Sequence, residues 1–170
     1  MALDTTIGGS SADSYATLAE YQARAAAFGW TLAGDPADEI NLRKAAVALD
    51  SGYNWLGYAD TETQALAWPR EISQSVGGYY VQSDAIPANI KTAQMELAYL
   101  IQGGADPFAT LSGGMVKRKR EKVDVIEEET EYMDGGARER AAYPLIDALV
   151  GPFAHGKVGA RGGSLSLARA

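Results

Sequence analysis

The chain has 170 residues, no cysteine, a single histidine and a net charge of −7. That length suits one domain with appendages, burying about 70% of its unfolded surface without covalent staples. The lack of cysteine excludes disulfides and thiolate metal sites; no apolar run approaches the roughly 20 residues of a membrane span.

Residues 1–13 are small and polar, with Gly8-Gly9-Ser10-Ser11, and read as a loose N-terminal arm. Met1-Ala2-Leu3-Asp4 lacks the basic and apolar regions of an export signal, so a soluble protein used without export is expected. Thr17 and Glu20 fit a capping box. Leu18, Tyr21, Ala25 and Phe28 then share one helical face, and Gly29 marks the exit. Asp35-Pro36 opens a second helix, expected to run to about Trp55, with Leu42, Ala45, Ala46, Leu49, Tyr53 and Leu56 on one stripe.

Residues 57–86 read as loop, with a short helical turn across Thr63–Ala67. Trp68 must leave the helical region because the ring of Pro69 crowds it, so Leu66-Ala67-Trp68-Pro69 pins this connection onto a core. Pro87 opens a third helix with Ile90, Ala93, Leu97 and Leu100 or Ile101 inward, and Gly103-Gly104 ends it. Between Met115 and Met133 the valines and alternation favour extended structure. Tyr143–Phe153 is a final helix with Leu145, Ile146, Leu149 and Val150 inward. Residues 154–170 are rich in glycine and alanine, with Lys157, Arg161 and Arg169 as their charges, and read as a flexible tail.

Charge is unevenly spread. Residues 1–100 hold twelve acids and five bases, whereas residues 101–170 hold ten of each. An acidic body of this kind repels phosphates, which argues against tight DNA binding by the helical part and suits a surface that DNA passes without sticking. In the second half Lys117, Arg118, Lys119, Arg120 and Lys122 precede Glu127, Glu128, Glu129 and Glu131. This run is open to three readings: a solvated edge that blocks sheet pairing, a contact between subunits in which the basic half of one arm meets the acidic half of its neighbour, and a DNA phosphate contact.

No constellation for catalysis is present. Gly151-Pro152-Phe153-Ala154-His155-Gly156-Lys157 imitates a phosphate loop, but Val158 follows where a hydroxyl is needed and a helix precedes it. His155 is the only histidine, which leaves no partner for a two-histidine metal site. The glutamates at 127–131 lack the spacing of a calcium loop. Ser10, Ser11 and Ser14 have no base beside them in sequence. The expectation is a non-enzyme without catalytic residues, metal or cofactor. Trp55 and Trp68 lie within apolar patterns and read as core rather than base-stacking platforms, while Tyr79 and Tyr80, beside glycines in a loop, read as a partner surface.

Several segments together resemble the head–tail connector (adaptor, head-completion) proteins of tailed bacteriophages, a group some of whose sequences carry a DnaT-like single-strand-DNA-binding label. They are Ala12-Asp13-Ser14-Tyr15, Leu49-Asp50 with Trp55, Gln64-Ala65-Leu66-Ala67-Trp68-Pro69-Arg70, Ile86-Pro87 with Glu96-Leu97-Ala98, Lys117–Asp124, and Tyr143-Pro144 with Ile146–Leu149. The resemblance implies a virion protein of the neck, made in the host cytoplasm, that forms a usually twelve-fold ring with copies of itself. Its partners would be the portal protein, the neck or tail-completion protein, and double-stranded DNA passing without specific binding; no membrane is implied. Lys117–Glu131 would then supply ring contacts, and Lys157, Arg161 and Arg169 would dock on the portal or a neighbour.

The expected architecture is mostly α: a three- to four-helix bundle at 14–153, with a charged β arm or hairpin at 115–133 and a flexible tail at 154–170. The alternative function is a replication-associated single-strand-DNA-binding module using Lys117–Lys122 and the basic tail.

Overall fold

The computed structural model describes residues 2–73, 75, 76, 78, 80–111, 116–120, 129–132, 139–140 and 143–158. Among them are four helices and four two-stranded antiparallel ladders. The mostly helical character expected from the sequence is therefore present, accompanied by short sheets. The chain divides into two compact units, Met1–Pro107 with Ala142–Val158, and Phe108–Ala141 with Gly159–Ala170.

Helix α1, Leu18–Phe28, begins at the expected capping box: the Glu20 N–H donates to Thr17 Oγ1 at 3.1 Å and the Thr17 N–H to Glu20 Oε2 at 2.7 Å. Gly29, at φ 69°, closes it in the left-handed region that glycine enters without strain. Helix α2, Asp35–Gly52, has its N-cap at Gly34. The fully buried Asp38 turns back to accept the N–H groups of Ala33 and Gly34, satisfying donors that precede the first turn. This helix ends before Trp55. Tyr53–Trp55 forms strand β1, and Ala154–Lys157, read as the start of the tail, is its partner strand, with Tyr53 opposite Lys157.

Helix α3, Ala88–Gln102, packs against both α2 and a short helix over Pro144–Val150. A single 3₁₀ turn, Gly151–Phe153, leads from that short helix into the strand at Ala154. The core joins Tyr15, Tyr21, Leu42, Leu49, Trp68, Ile90, Leu97, Ile146, Val150 and Phe153. Trp68 stands edge-on to both Trp55 and Phe153 at 5.7 Å, which makes it the keystone of the lower core, as its apolar context implies. Two residues expected inward are exposed. Phe28 is the last residue of α1, under the Arg24 guanidinium, and Leu145 is in the first turn of the short helix.

The loop at 57–86 carries a two-residue ladder of β2, Tyr58–Ala59, with β3, Arg70–Glu71. Gly57 (φ 68°) passes so close to this ladder that a Cβ there would sit 2.0 Å from the Glu71 carbonyl oxygen. The helical turn expected at Thr63–Ala67 is absent, because the Gln64 side chain replaces its hydrogen bonds. Gln64 Oε1 accepts from the Thr61 N–H, and Nε2 donates to the carbonyls of Leu66 and Pro69.

The N-terminal stretch is tied down rather than loose. Asp4 and Asp13 exchange backbone and side-chain hydrogen bonds, and the Ala65 N–H donates to the Gly9 carbonyl. Behind it, buried Gln94 uses its whole amide. Oε1 accepts from the Tyr15 and Ala16 N–H groups, and Nε2 donates to Ser14 Oγ and the Leu42 carbonyl. Without Gln94 the Tyr15 and Ala16 N–H groups would be buried without a partner, at a cost of about 1–3 kcal/mol apiece; Ser14 Oγ also donates to the Ala16 carbonyl, and the Leu42 carbonyl belongs to the ladder of α2.

The second unit is described by two ladders nested in sequence. β4, Thr110–Leu111, pairs with Glu139–Arg140, and inside that pair β5, Val116–Arg120, pairs with β6, Glu129–Tyr132. Numbered in chain order, Glu139–Arg140 is β7, Pro144–Val150 is α4 and Ala154–Lys157 is β8.

Candidate nucleic-acid interface

A nucleic-acid site needs cations free to meet phosphates. In the helical unit most cations are committed elsewhere. Arg24 pairs with Glu96; Arg43 with Asp13 at 2.5 Å and with Glu39; Lys91 with Glu20 at 2.8 Å; and Lys157 with Asp147 at 2.8 Å. Arg70 donates to the carbonyls of Leu56, Gly57 and Ala67, so its guanidinium fastens the tryptophan loop from within. Lys44 stands exposed on α2 between Ile40 and Val47.

Several aromatic groups of this unit are also engaged. Trp30 stacks on Tyr99 at 4.4 Å and nearly parallel, and Arg24 lies 4.4 Å above the Phe28 ring. A shallow cleft of about 310 Å³ beside Tyr99 is lined by Leu100, Gln102, Gly103 and Ala105, none of them a cation. Tyr80 is exposed, and Tyr79 lies outside the described residues.

A second polar junction lies at the tryptophan loop. Asp50 accepts the Tyr15 hydroxyl and the Ala67 N–H, and Arg70 is close enough to act on its charge. Burial raises the Asp50 carboxyl to about 6; the hydrogen bonds from Tyr15 and Ala67 and the charge of Arg70 oppose that rise. Burial and the neighbouring carboxylate together push the Tyr15 hydroxyl well above its ordinary value. This pair holds helix to loop. It has no adjacent nucleophile or histidine among its hydrogen-bond partners.

The charged run is organised differently. β5 holds Lys117, Arg118, Lys119 and Arg120 in one strand, and β6 sets Glu129 and Glu131 against it within the same chain. Arg118 is opposite Glu131, Lys119 opposite Thr130 and Arg120 opposite Glu129, with the register shifted between Val116 and Arg118. The extended charged hairpin foreseen in the sequence is present in these strands. Of the other residues singled out there, Lys122, Glu127, Glu128, Arg161 and Arg169 lie outside the described residues. Lys157 falls on β8 and His155 is an exposed residue of the same strand.

The molecule is thus a helical protein whose second unit carries a charge-segregated hairpin. It belongs to the family described as "Putative DnaT-like ssDNA binding protein", whose model matches residues 1–170. No curated protein and no solved structure matches the chain.

This membership overturns the head–tail connector reading and favours the single-strand-DNA-binding alternative. The structure shows why the sequence misled. Ser14, Tyr15, Trp68 and Pro69, which carried much of the connector resemblance, are buried. Residues of that kind report how a domain packs, not what it docks on.

Proposed function

We propose that this protein is a single-strand-DNA-binding module that meets the phosphate backbone through the basic strand of its hairpin. The family membership supports the ligand class. The observation that carries the location is the concentration of charge: Lys117–Arg120 are four consecutive cations in one strand, whereas Arg24, Arg43, Lys91 and Lys157 are scattered through the helical unit.

The acidic body has a part in this arrangement. Its twelve carboxylates to five cations over residues 1–100 repel the nucleic-acid backbone, so attraction is confined to the basic segment. Binding of this kind is electrostatic and tolerant of sequence, because phosphates carry no base information.

Fluorescence anisotropy with a labelled oligothymidylate tests the reading. The expected outcome is micromolar binding at low salt that falls steeply as salt rises, with log K against log salt sloping by about −0.7 per phosphate contacted. No binding at low salt, or binding indifferent to salt, would overturn it.

A further inference from the structure

Along a strand successive residues alternate between faces, and directly opposed residues of an antiparallel pair share one. The register of β5 with β6 therefore sorts the hairpin into two unlike faces. Arg118, Arg120, Glu129 and Glu131 fall on one, with each arginine opposite a glutamate. Lys119 and Thr130, directly opposed, fall on the other, and Tyr132 joins them two residues along β6 from Thr130. Lys117 lies at the register shift and has no residue opposite it.

We infer that the face carrying Lys119 and Tyr132 is the one that engages single-stranded DNA, and that Tyr132 is the residue that prefers single strands over duplex. The proposal rests on the reading of the protein as a single-strand-DNA-binding module and assigns that reading to one side of the hairpin. On the other face two positive and two negative charges stand in opposed positions, so its net attraction for a phosphate backbone is close to nil. On the Lys119 face the opposed position is an uncharged threonine, so the lysine's charge is unbalanced by its cross-strand partner. An aromatic ring on the same face adds what a cation lacks. It can stack on an unpaired base, and every base offers a π-face, whereas a duplex keeps its bases stacked inside. One cation and one ring on a shared face form the smallest unit that holds phosphate and base together.

The full-length protein is titrated into labelled oligothymidylate and into a duplex of the same length across a salt series. Circular dichroism on each variant verifies that it folds. Tyr132→Leu is expected to weaken single-strand binding about tenfold while leaving duplex binding and the salt slope unchanged. Tyr132→Phe, which keeps the ring, is expected to retain wild-type affinity. Lys119→Ala is expected to make the salt slope shallower by about 0.7. Arg118→Gln and Glu131→Gln each unbalance the other face by one charge, in opposite senses, and are expected to weaken and to strengthen binding by similar factors, both smaller than the loss in Lys119→Ala. If the wild-type protein binds but Arg118→Gln lowers affinity more than Lys119→Ala and Tyr132→Leu do, the assignment of faces is overturned and the binding reading stands. If the wild-type protein does not bind, both fall together.

Discussion

In the helical unit Arg24, Arg43, Lys91 and Lys157 each reach a carboxylate, and Arg70 is held by three backbone carbonyls. The hairpin instead gathers four cations into five residues of one strand and answers them with glutamates at only two of the opposed positions. The same residue types serve two purposes. Dispersed and each met by a carboxylate, cations fix helices and loops to each other; collected on one strand, four of them concentrate positive charge within five residues. The acidic composition of the body is then no argument against nucleic-acid binding by the molecule. It is an argument about where such binding cannot occur.

The largest expected effect tests whether the helical unit is held as firmly as its internal bonding implies. Gln94→Ala strips the Tyr15 and Ala16 N–H groups of their acceptor in one step, and takes one of the hydrogen bonds made by Ser14 Oγ and by the Leu42 carbonyl. A loss of about 4 kcal/mol is expected in urea unfolding, because the Tyr15 and Ala16 N–H groups, left unmet in the core, cost about 1–3 kcal/mol each. A loss under about 1 kcal/mol would mean that the entry segment is held by its apolar contacts alone.

Gln94 also marks where the sequence was legible and where it was not. The Thr17 capping box, the Gly29 exit and the start of α3 after Pro87 depend on neighbours a few residues away, so pattern reading finds them. The strand β1 depends on Ala154–Lys157, a hundred residues later. Tyr53 continues the helical spacing of Leu49, and a three-residue strand offers no alternation to set against it. Gln94 and Asp38 had a signal that went unread. Gln94 falls between Ile90 and Leu97 on the apolar stripe of α3, and Asp38 four residues before Leu42 on that of α2. A polar side chain at an inward position must find a buried partner, so both positions implied a bond to a neighbouring segment. The hairpin's extended character and charge segregation were legible, but its two faces were not, because a one-residue slip in register would have exchanged them.

A smaller effect, of about 2–3 kcal/mol, separates the two regions by pH. Asp50 is raised to about 6 in the folded protein from 3.8 in the free side chain. Between those values the folded state holds a proton that the unfolded chain releases. The group's contribution to stability is therefore fully present below about pH 4 and lost as pH rises through 6. Asp50→Asn removes this titration, so the variant should gain on the wild type by that amount between pH 4 and pH 7 in thermal or urea unfolding. Parallel stability curves for the two proteins over this range would exclude the effect. Oligonucleotide affinity should not follow the same titration, since Asp50 belongs to the junction of α2 with the tryptophan loop.

The smallest expected effect bears most directly on the division of labour. Lys91→Met removes a cation from α3 together with its 2.8 Å bridge to Glu20. Because the pair is partly exposed, the expected loss of stability is below about 1 kcal/mol. More telling is the salt dependence of oligonucleotide binding, which should keep the wild-type slope. A lysine already answered by a carboxylate displaces few counterions from DNA, so deleting it releases none fewer. Lys119→Ala deletes the same unit of charge and is expected to make the slope shallower. The two variants lower net charge equally, which removes any general effect of the molecule's overall field from the comparison. If Lys91→Met flattens the slope as much as Lys119→Ala does, the helical unit itself touches phosphate, and the separation of structural from binding cations is lost.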